Sequence, residues 1–320
     1  MKLFLGVDGG QSGTTALIGD ETGRILGQGT AGPCNHAAAG EGRAKLERSV
    51  RESLAEACRQ AGLDAGAVRF AVACFGMSGG PEDKRAILAA ILHADQLVVT
   101  TDAVTALSGA TATGQGIVTI AGTGSIAFGR NAAGREARAG GWGYVFGDEG
   151  GAFDIVRQAA RAVLRAEEGW GPPTSLLGTL LESTGAASAN EMLHRLYGDE
   201  WGRPRVASLA PLVDRAAAEG DAVAQRIVDS AAIQLAMLAG AVRGQLWQPG
   251  EPVDVAYVGG VFRSDRLREK FRLLMEMEPG VRCVAPLYGP DRGALLEAYR
   301  VAGVENASDP FSAQWPAPGS

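Results

Sequence analysis

Residues 140–151 read Gly-Gly-Trp-Gly-Tyr-Val-Phe-Gly-Asp-Glu-Gly-Gly, six glycines in twelve positions. Glycine contributes no side chain to a core and costs conformational entropy, so such density marks backbone that must turn sharply or approach a ligand closely. Trp142 offers a flat apolar face, and the adjacent Asp148 and Glu149 offer carboxylates. Two further glycine turns follow apolar, strand-like runs: Asp8-Gly9-Gly10-Gln11-Ser12 and Ala121-Gly122-Thr123-Gly124-Ser125. In turns of this kind successive N–H groups can converge on an anion, and Ser or Thr hydroxyls add donors, which suits phosphate. No G-x-x-x-x-G-K-[ST] stretch occurs, and no G-x-G-x-x-G follows the first strand, which argues against a Walker-type loop and a dinucleotide fold.

The elements that must position these groups occur twice. Lys2–Asp8, Thr14–Gly19 and Arg24–Gly29 are predicted strands, with a hairpin turn at 20–23. Gly116–Ile120, Ile126–Arg130 and Arg135–Ala139 repeat that order roughly 113 residues later, with a hairpin turn at 131–134. The repeat predicts an internal duplication: two similar α/β halves facing each other across a cleft. A helix is predicted over Glu41–Ala61, a strand over Val68–Phe75, a helix from Pro81 to about His93, and a strand Leu97–Thr100 that delivers Asp102 at its end. Later helices are predicted at Ala152–Glu168, Thr174–Glu182, Ala189–Tyr197, Val206–Glu219 and Asp221–Trp247. A strand Val253–Val258, a helix to about Met275, a strand near Val281–Ala285 and a closing helix Gly289–Val301 complete the chain. The expected domains are 1–112 and 113–305, followed by a loosely ordered, proline-bearing tail at 306–320.

The 320 residues suffice for two domains, and 46% hydrophobic with 21% charged residues describes an ordinary globular composition. A formal net charge of -6 argues against a nucleic-acid or anionic-membrane partner. No apolar run approaches the roughly 20 residues of a bilayer span, and the N-terminus lacks the pattern of a signal peptide. Cys34, Cys58, Cys74 and Cys283 are scattered with no C-x-x-C pair, which suits a reduced cytoplasm and indicates neither zinc nor a disulfide framework. His36, His93 and His194 show no ligand spacing.

Taken together these residues resemble the acetate/sugar kinase, Hsp70 and actin superfamily, and within it the N-acetylglucosamine kinase branch, the BadF/BadG/BcrA/BcrD ATPases. The resemblance is carried by Gly6-Val7-Asp8-Gly9-Gly10, Ala121-Gly122-Thr123-Gly124-Ser125, Gly140-Gly141-Trp142-Gly143 and Gly147-Asp148-Glu149-Gly150. Val258-Gly259-Gly260-Val261 with Ser264, and Pro290 with Gly293-Ala294-Leu295, extend it over about residues 3 to 298.

The resemblance implies duplicated actin-like, ribonuclease H-like ATPase domains and ATP-dependent phosphorylation of a hexose or amino sugar in the interdomain cleft. It makes Asp102 the catalytic base and a sugar contact; a helix N-cap is the other role open to that residue. Asp8 would hold Mg²⁺ beside the phosphates of ATP. Gly9, Gly10, Gln11, Ser12, Gly122, Thr123 and Gly124 would receive those phosphates, with Gly220, Gly259, Gly260 and Ser264 around the adenosine. Asn35, Ser78, Ser125, Gly141, Trp142, Gly143 and Asp148 would surround the sugar. Trp142 can wall the pocket or stack on the ring, and Glu149 can cap the helix behind it. The chain departs from the family pattern at Gln11, Ser12, Gly13 and Ile126.

The implied activity is a kinase of N-acetylglucosamine or a close relative, with glucosamine, N-acetylmuramic acid and glucose as near alternatives and the 6-hydroxyl as the acceptor. An ATPase that activates a partner enzyme is the alternative of another class; those relatives carry cluster-binding cysteines, and Gly116–Ser125 has none. A homodimer stays open.

Overall fold

In the computed structural model, residues 1–10, 13–34, 42–79 and 83–304 are described. Gln11, Ser12, Asn35 and the 306–320 tail lie outside them. The chain divides into two compact units, Met1–Gly116 with the stretch from Ala285 onward, and Ile117–Val284.

The first unit contains β1 (Leu3–Gly9), β2 (Thr14–Asp20), β3 (Ile25–Ala31), α1 (Gly42–Ala61), β4 (Arg69–Met77), α2 (Arg85–Ala89), β5 (His93–Thr101) and α3 (Asp102–Thr111). Its sheet has the order β3-β2-β1-β4-β5, with antiparallel hairpins on one side of β1 and parallel strands on the other. Alternation along β1 assigns its two faces: Leu5 and Val7 pack with Leu46, Val50 and Leu54 of α1, while Phe4 joins the opposite cluster. The β2–β3 turn is closed by Asp20, whose Oδ1 accepts from the N–H groups of Thr22 (2.8 Å) and Arg24 (3.2 Å).

The second unit contains β6 (Gly116–Ala121), β7 (Ser125–Arg130), β8 (Glu136–Gly140), α4 (Ala152–Glu167), α5 (Leu176–Thr184), α6 (Ala189–Tyr197), α7 (Arg203–Ala207), α8 (Ala210–Ala218), α9 (Ala222–Leu246), β9 (Val253–Val258), α10 (Asp265–Glu276) and β10 (Val281–Val284). Its sheet order, β10-β9-β6-β7-β8, is that of the first sheet with β6 in the place of β1. The hairpin turns correspond too: Asn131 Oδ1 accepts from Ala133 and Arg135, as Asp20 does in the first unit. The duplication is thus topological as well as sequential.

The last helix, α11 (Pro290–Val301), departs from the expected division at 113–305, because it returns to the first unit. A Cβ at Gly293 would sit 1.8 Å from the Thr105 carbonyl oxygen, and one at Gly109 would sit 2.3 Å from that of Gly289. Only glycine lets α3 and α11 approach backbone to backbone in this way. Tyr299 then packs edge-on against Phe4, ring centroids 4.8 Å apart.

Two further predicted elements differ. The expected helix start at Pro81 lies outside the described residues. Within them the helix is α2, and the expected run to His93 is cut short because the chain from His93 onward pairs in parallel with β4 from Arg69. The helix expected over 206–219 is broken between α7 and α8. Pro211 lies near the α8 N-terminus, where its missing N–H costs nothing, whereas inside a continuous helix its ring would clash with the carbonyl four residues back. Finally, α9 is long and apolar enough by length and composition to cross a membrane, although no such span is expected from the sequence. It packs against α8, α10, β7 and β8, with Leu235, Ala239 and Val242 wholly buried.

Candidate active-site residues

In the first unit the ends of β1, β4 and β5 carry the candidate residues Asp8, Ser78 and Asp102. Asp8 pairs in register with Gly76, and Met77 with Thr101, so Asp8, Ser78 and Asp102 come from neighbouring strand ends. The Ser78 N–H donates to Gly9 O at 3.1 Å, which ties the two ends together. Ser78 Oγ donates to Asp102 Oδ2 at 2.7 Å. Asp102 opens α3, and Thr101, which precedes it, makes no side-chain cap. The Asp102 carboxylate therefore sits in the first helical turn, where negative charge is favoured, and is held there by Ser78. Its Oδ1 has no partner among the described residues.

The Asp8 carboxyl is pushed up to about 7, first by burial and then by the negative charges of Asp102 and Asp291. It makes no salt bridge among the described residues. Asp291, in the first turn of α11, is a site neighbour that the sequence reading missed; its signal is an acid one residue after a helix-opening proline. Lys84 was missed as well: it is fully buried, pairs with Asp83 at 3.0 Å, and is close enough to Cys34 to act on its thiol. Cys34 and Met77 in turn pack over Gly9, where a Cβ would meet both sulfurs within 2.6 Å.

In the second unit the 122–125 turn is locked from behind. The Ala152 N–H donates to Gly122 O (2.8 Å) and the Phe153 N–H to Thr123 O (3.1 Å), so the first N–H groups of α4 are spent on the turn's carbonyls. Thr123 Oγ1 has no partner among the described residues, and a Cβ at Gly122 would meet nothing within 4 Å. Gly259, φ +110, lies so near β6 that a Cβ would be 2.3 Å from Ala121 O, which sets the 259–260 segment beside the turn. Gly260 and Gly220 also face open space. Ser264 takes a structural role: its Oγ caps α10 by accepting from Leu267 N and is tied to Asp214.

The 140–151 loop folds over the same turn. Ser125 Oγ donates to Glu149 O (2.6 Å), and the Gly141 N–H donates to Ser125 O (3.0 Å). Asp148 is a non-glycine residue with φ +62; it is buried, and its Oδ1 accepts from the Ser125 N–H at 3.3 Å. Arg203, which sequence reasoning did not single out, forms an ion pair with Asp148 Oδ2. Arg157 fixes the loop from α4 by donating to Tyr144 O (3.0 Å) and to Asp154 Oδ1 (2.6 Å). Trp142 is 66% exposed, with the Arg138 guanidinium 4.5 Å from its ring centroid. Gly143 lies beside it at φ +81.

Each unit by itself offers part of a donor set. In the second, a glycine turn free of side chains at Gly122 and a Thr123 hydroxyl without a partner among the described residues suit a polyphosphate. In the first, the buried Asp8 carboxyl, with no salt bridge among the described residues, suits a cation. The four cysteines are buried and none forms a disulfide.

The model of the BadF/BadG/BcrA/BcrD ATPase family matches residues 5–298. The chain is 31% identical over 305 residues to an N-acetylmuramic acid/N-acetylglucosamine kinase of Clostridium acetobutylicum, covering 93% of this chain and 98% of that one. It is 30% identical to an N-acetyl-D-glucosamine kinase of Dictyostelium discoideum, with the same coverage. A crystal structure of a candidate N-acetylglucosamine kinase from Chromobacterium violaceum superposes with a TM-score of 0.76 at 28% identity, over 92% of this chain and 98% of that one.

Proposed function

The chain belongs to the BadF/BadG/BcrA/BcrD ATPase family, and from that premise we propose that it is an ATP-dependent kinase of N-acetylated amino sugars. The acceptor is N-acetylglucosamine or N-acetylmuramic acid, phosphorylated at the 6-hydroxyl, the least hindered alcohol of the ring. The observation that carries the chemistry is the Asp102 carboxylate, held by Ser78 at 2.7 Å with its other oxygen unspent. That arrangement suits a base that accepts the proton of an attacking hydroxyl. The relatives from Clostridium and Dictyostelium support the substrate class.

ATP, when bound, supplies the phosphoryl group, and Mg²⁺ would be held at Asp8. The Thr123 and Gly124 N–H groups and the Thr123 hydroxyl would bind the phosphates. Gly9, Gly10 and Gly122 would be backbone neighbours, since the N–H groups of Gly10 and Gly122 are taken up by Gly13 O and Gly124 O. Gly220, Gly259 and Gly260 leave room for the nucleoside. Ser78, Asp102, Gly141, Trp142, Gly143 and Asp148 orient the sugar, and Asn35 adds an amide. Four cysteines outside any disulfide suit a reducing compartment.

Sugar-dependent ADP release is the test, run across N-acetylglucosamine, N-acetylmuramic acid, glucosamine, glucose and N-acetylmannosamine, with the product's phosphate located by ³¹P NMR. Turnover of an N-acetylated sugar to its 6-phosphate is expected. ATP hydrolysis indifferent to every sugar, from protein that purifies with iron, would favour the activator class instead.

A further inference from the structure

Arg203 opens α7, far in sequence from the residues it touches. Its guanidinium pairs with Asp148 Oδ2 and lies 5.3 Å from the centroid of the Tyr144 ring, so one head group meets both flanks of the 143–148 bend. The pair is shielded, with 7% of the Asp148 side chain and 24% of the Arg203 side chain exposed. Among the described residues Arg203 is the one cation paired with Asp148, and Asp148 the one carboxylate paired with Arg203.

The Asp148 carboxyl rests directly on the 122–125 turn. A Cβ at Gly124 would lie 2.4–2.6 Å from its atoms, and its Oδ1 accepts from the Ser125 N–H. A negative charge is therefore built against the turn proposed above for phosphates, the wrong sign for an anion held nearby. Local geometry does not demand that charge. Asparagine tolerates the left-handed backbone at least as well as aspartate, and it too would accept from Ser125. A carboxylate at this place needs a cation, and α7 brings one.

Resting on the phosphate-turn reading, we infer that Arg203 is a positioning residue that cancels the charge of Asp148, allowing the Gly122–Ser125 turn to hold a nucleoside triphosphate. It also fixes the orientation of the carboxylate that the sugar meets. Arg203 acts through Asp148, and a role confined to packing α7 would not depend on the charge at position 148.

The experiment measures binding of a non-hydrolysable ATP analogue with Mg²⁺ by titration calorimetry, on full-length protein without sugar. Arg203→Ala is expected to weaken binding about tenfold or more, because a shielded carboxylate loses its partner. Adding Asp148→Asn to Arg203→Ala removes the orphaned charge and is expected to restore affinity to within about threefold of the wild type. Unchanged affinity in Arg203→Ala, or a double variant as weak as the single one, overturns the inference. If Arg203→Ala fails to give a cooperative melt, the double variant decides alone: near-wild-type affinity without either charge supports charge cancellation, and weak affinity overturns it. A wild type that binds no nucleotide would overturn the kinase reading, and this inference with it.

Discussion

Ser78 Oγ donates to Asp102 Oδ2 at 2.7 Å, from the end of β4 to the residue that follows β5. The bond leaves Oδ1 unspent and restrains the rotation of the carboxylate at the start of α3. A carboxylate so restrained suits the role of base proposed for Asp102.

Asp102→Asn is therefore expected to lower kcat by about 10²–10⁴, the scale of one general base, while the KM for sugar stays within a few-fold. Ser78→Ala should lower kcat about tenfold or less, the worth of one hydrogen bond to a charged group. Steady-state kinetics on the preferred sugar checks both. Wild-type turnover in Asp102→Asn would remove it from the mechanism.

The α3–α11 contact gives a stability prediction. At Gly293 a Cβ would lie 1.8 Å from Thr105 O, 2.6 Å from Gly109 N and 2.8 Å from the Thr105 carbonyl carbon, all backbone atoms that cannot swing aside. Gly293→Ala must push the helices apart and is expected to cost about 3 kcal/mol or more, at or beyond the upper end for overpacking. Urea unfolding would show it as a lowered midpoint. A midpoint within error of the wild type would mean that α11 slides at little cost.

Much of this arrangement was legible in the sequence. The strand–turn–strand–hairpin–strand order appears twice because strand formers, glycine turns and an Asx residue in each hairpin are local signals, and the two sheets share one topology. The 140–151 loop was legible because such glycine density has few other uses. The return of α11 was not, since a helix's own pattern names the face it buries but not the sheet it buries against; the cue was the small pair Gly109 and Gly293. Arg203 was hidden for a similar reason. An arginine opening a five-residue helix looks like a surface residue until the fold sets it on Asp148, 55 residues away.

Asp221 makes the long α9 start where it does. Its Oδ1 accepts from the N–H groups of Val223 and Ala224, both at 2.9 Å. Its Oδ2 accepts from the Ser175 N–H at 2.6 Å and from the hydroxyls of Thr174 and Ser175 at 2.9 Å. Burial alone would raise its pKa, but these donors outweigh it and bring the group down to about 2. A depressed acid stabilises the fold above its unfolded pKa of 3.8 and loses that contribution as pH falls toward about 2. Asp221→Ala is expected to cost about 1–2 kcal/mol at pH 7 through the lost cap. The gap in melting temperature between wild type and variant should narrow steadily as pH falls from about 4 through about 2, and a gap that stays constant over that range would assign the effect to packing.

Asp8 carries the opposite sign. Burial, Asp102 and Asp291 raise its carboxyl from 3.8 to about 7, so the fold favours the protonated form. Relative to the ionised group, that preference is fully present below 3.8 and is lost as pH rises through about 7. Without ligand, Asp8→Asn removes a charge the fold resists, so its melting temperature should gain on the wild type by a few degrees between pH 5 and pH 8. A cation at Asp8 reverses the preference, because only the carboxylate can ligate it. Binding of Mg²⁺ with an ATP analogue should then release close to one proton near pH 6 and little at pH 9, read as the dependence of calorimetric enthalpy on buffer ionisation. The Asn variant should show neither the release nor tight Mg²⁺-dependent binding. Proton release at pH 6 that survives Asp8→Asn would move the titrating group elsewhere and take the metal role from Asp8.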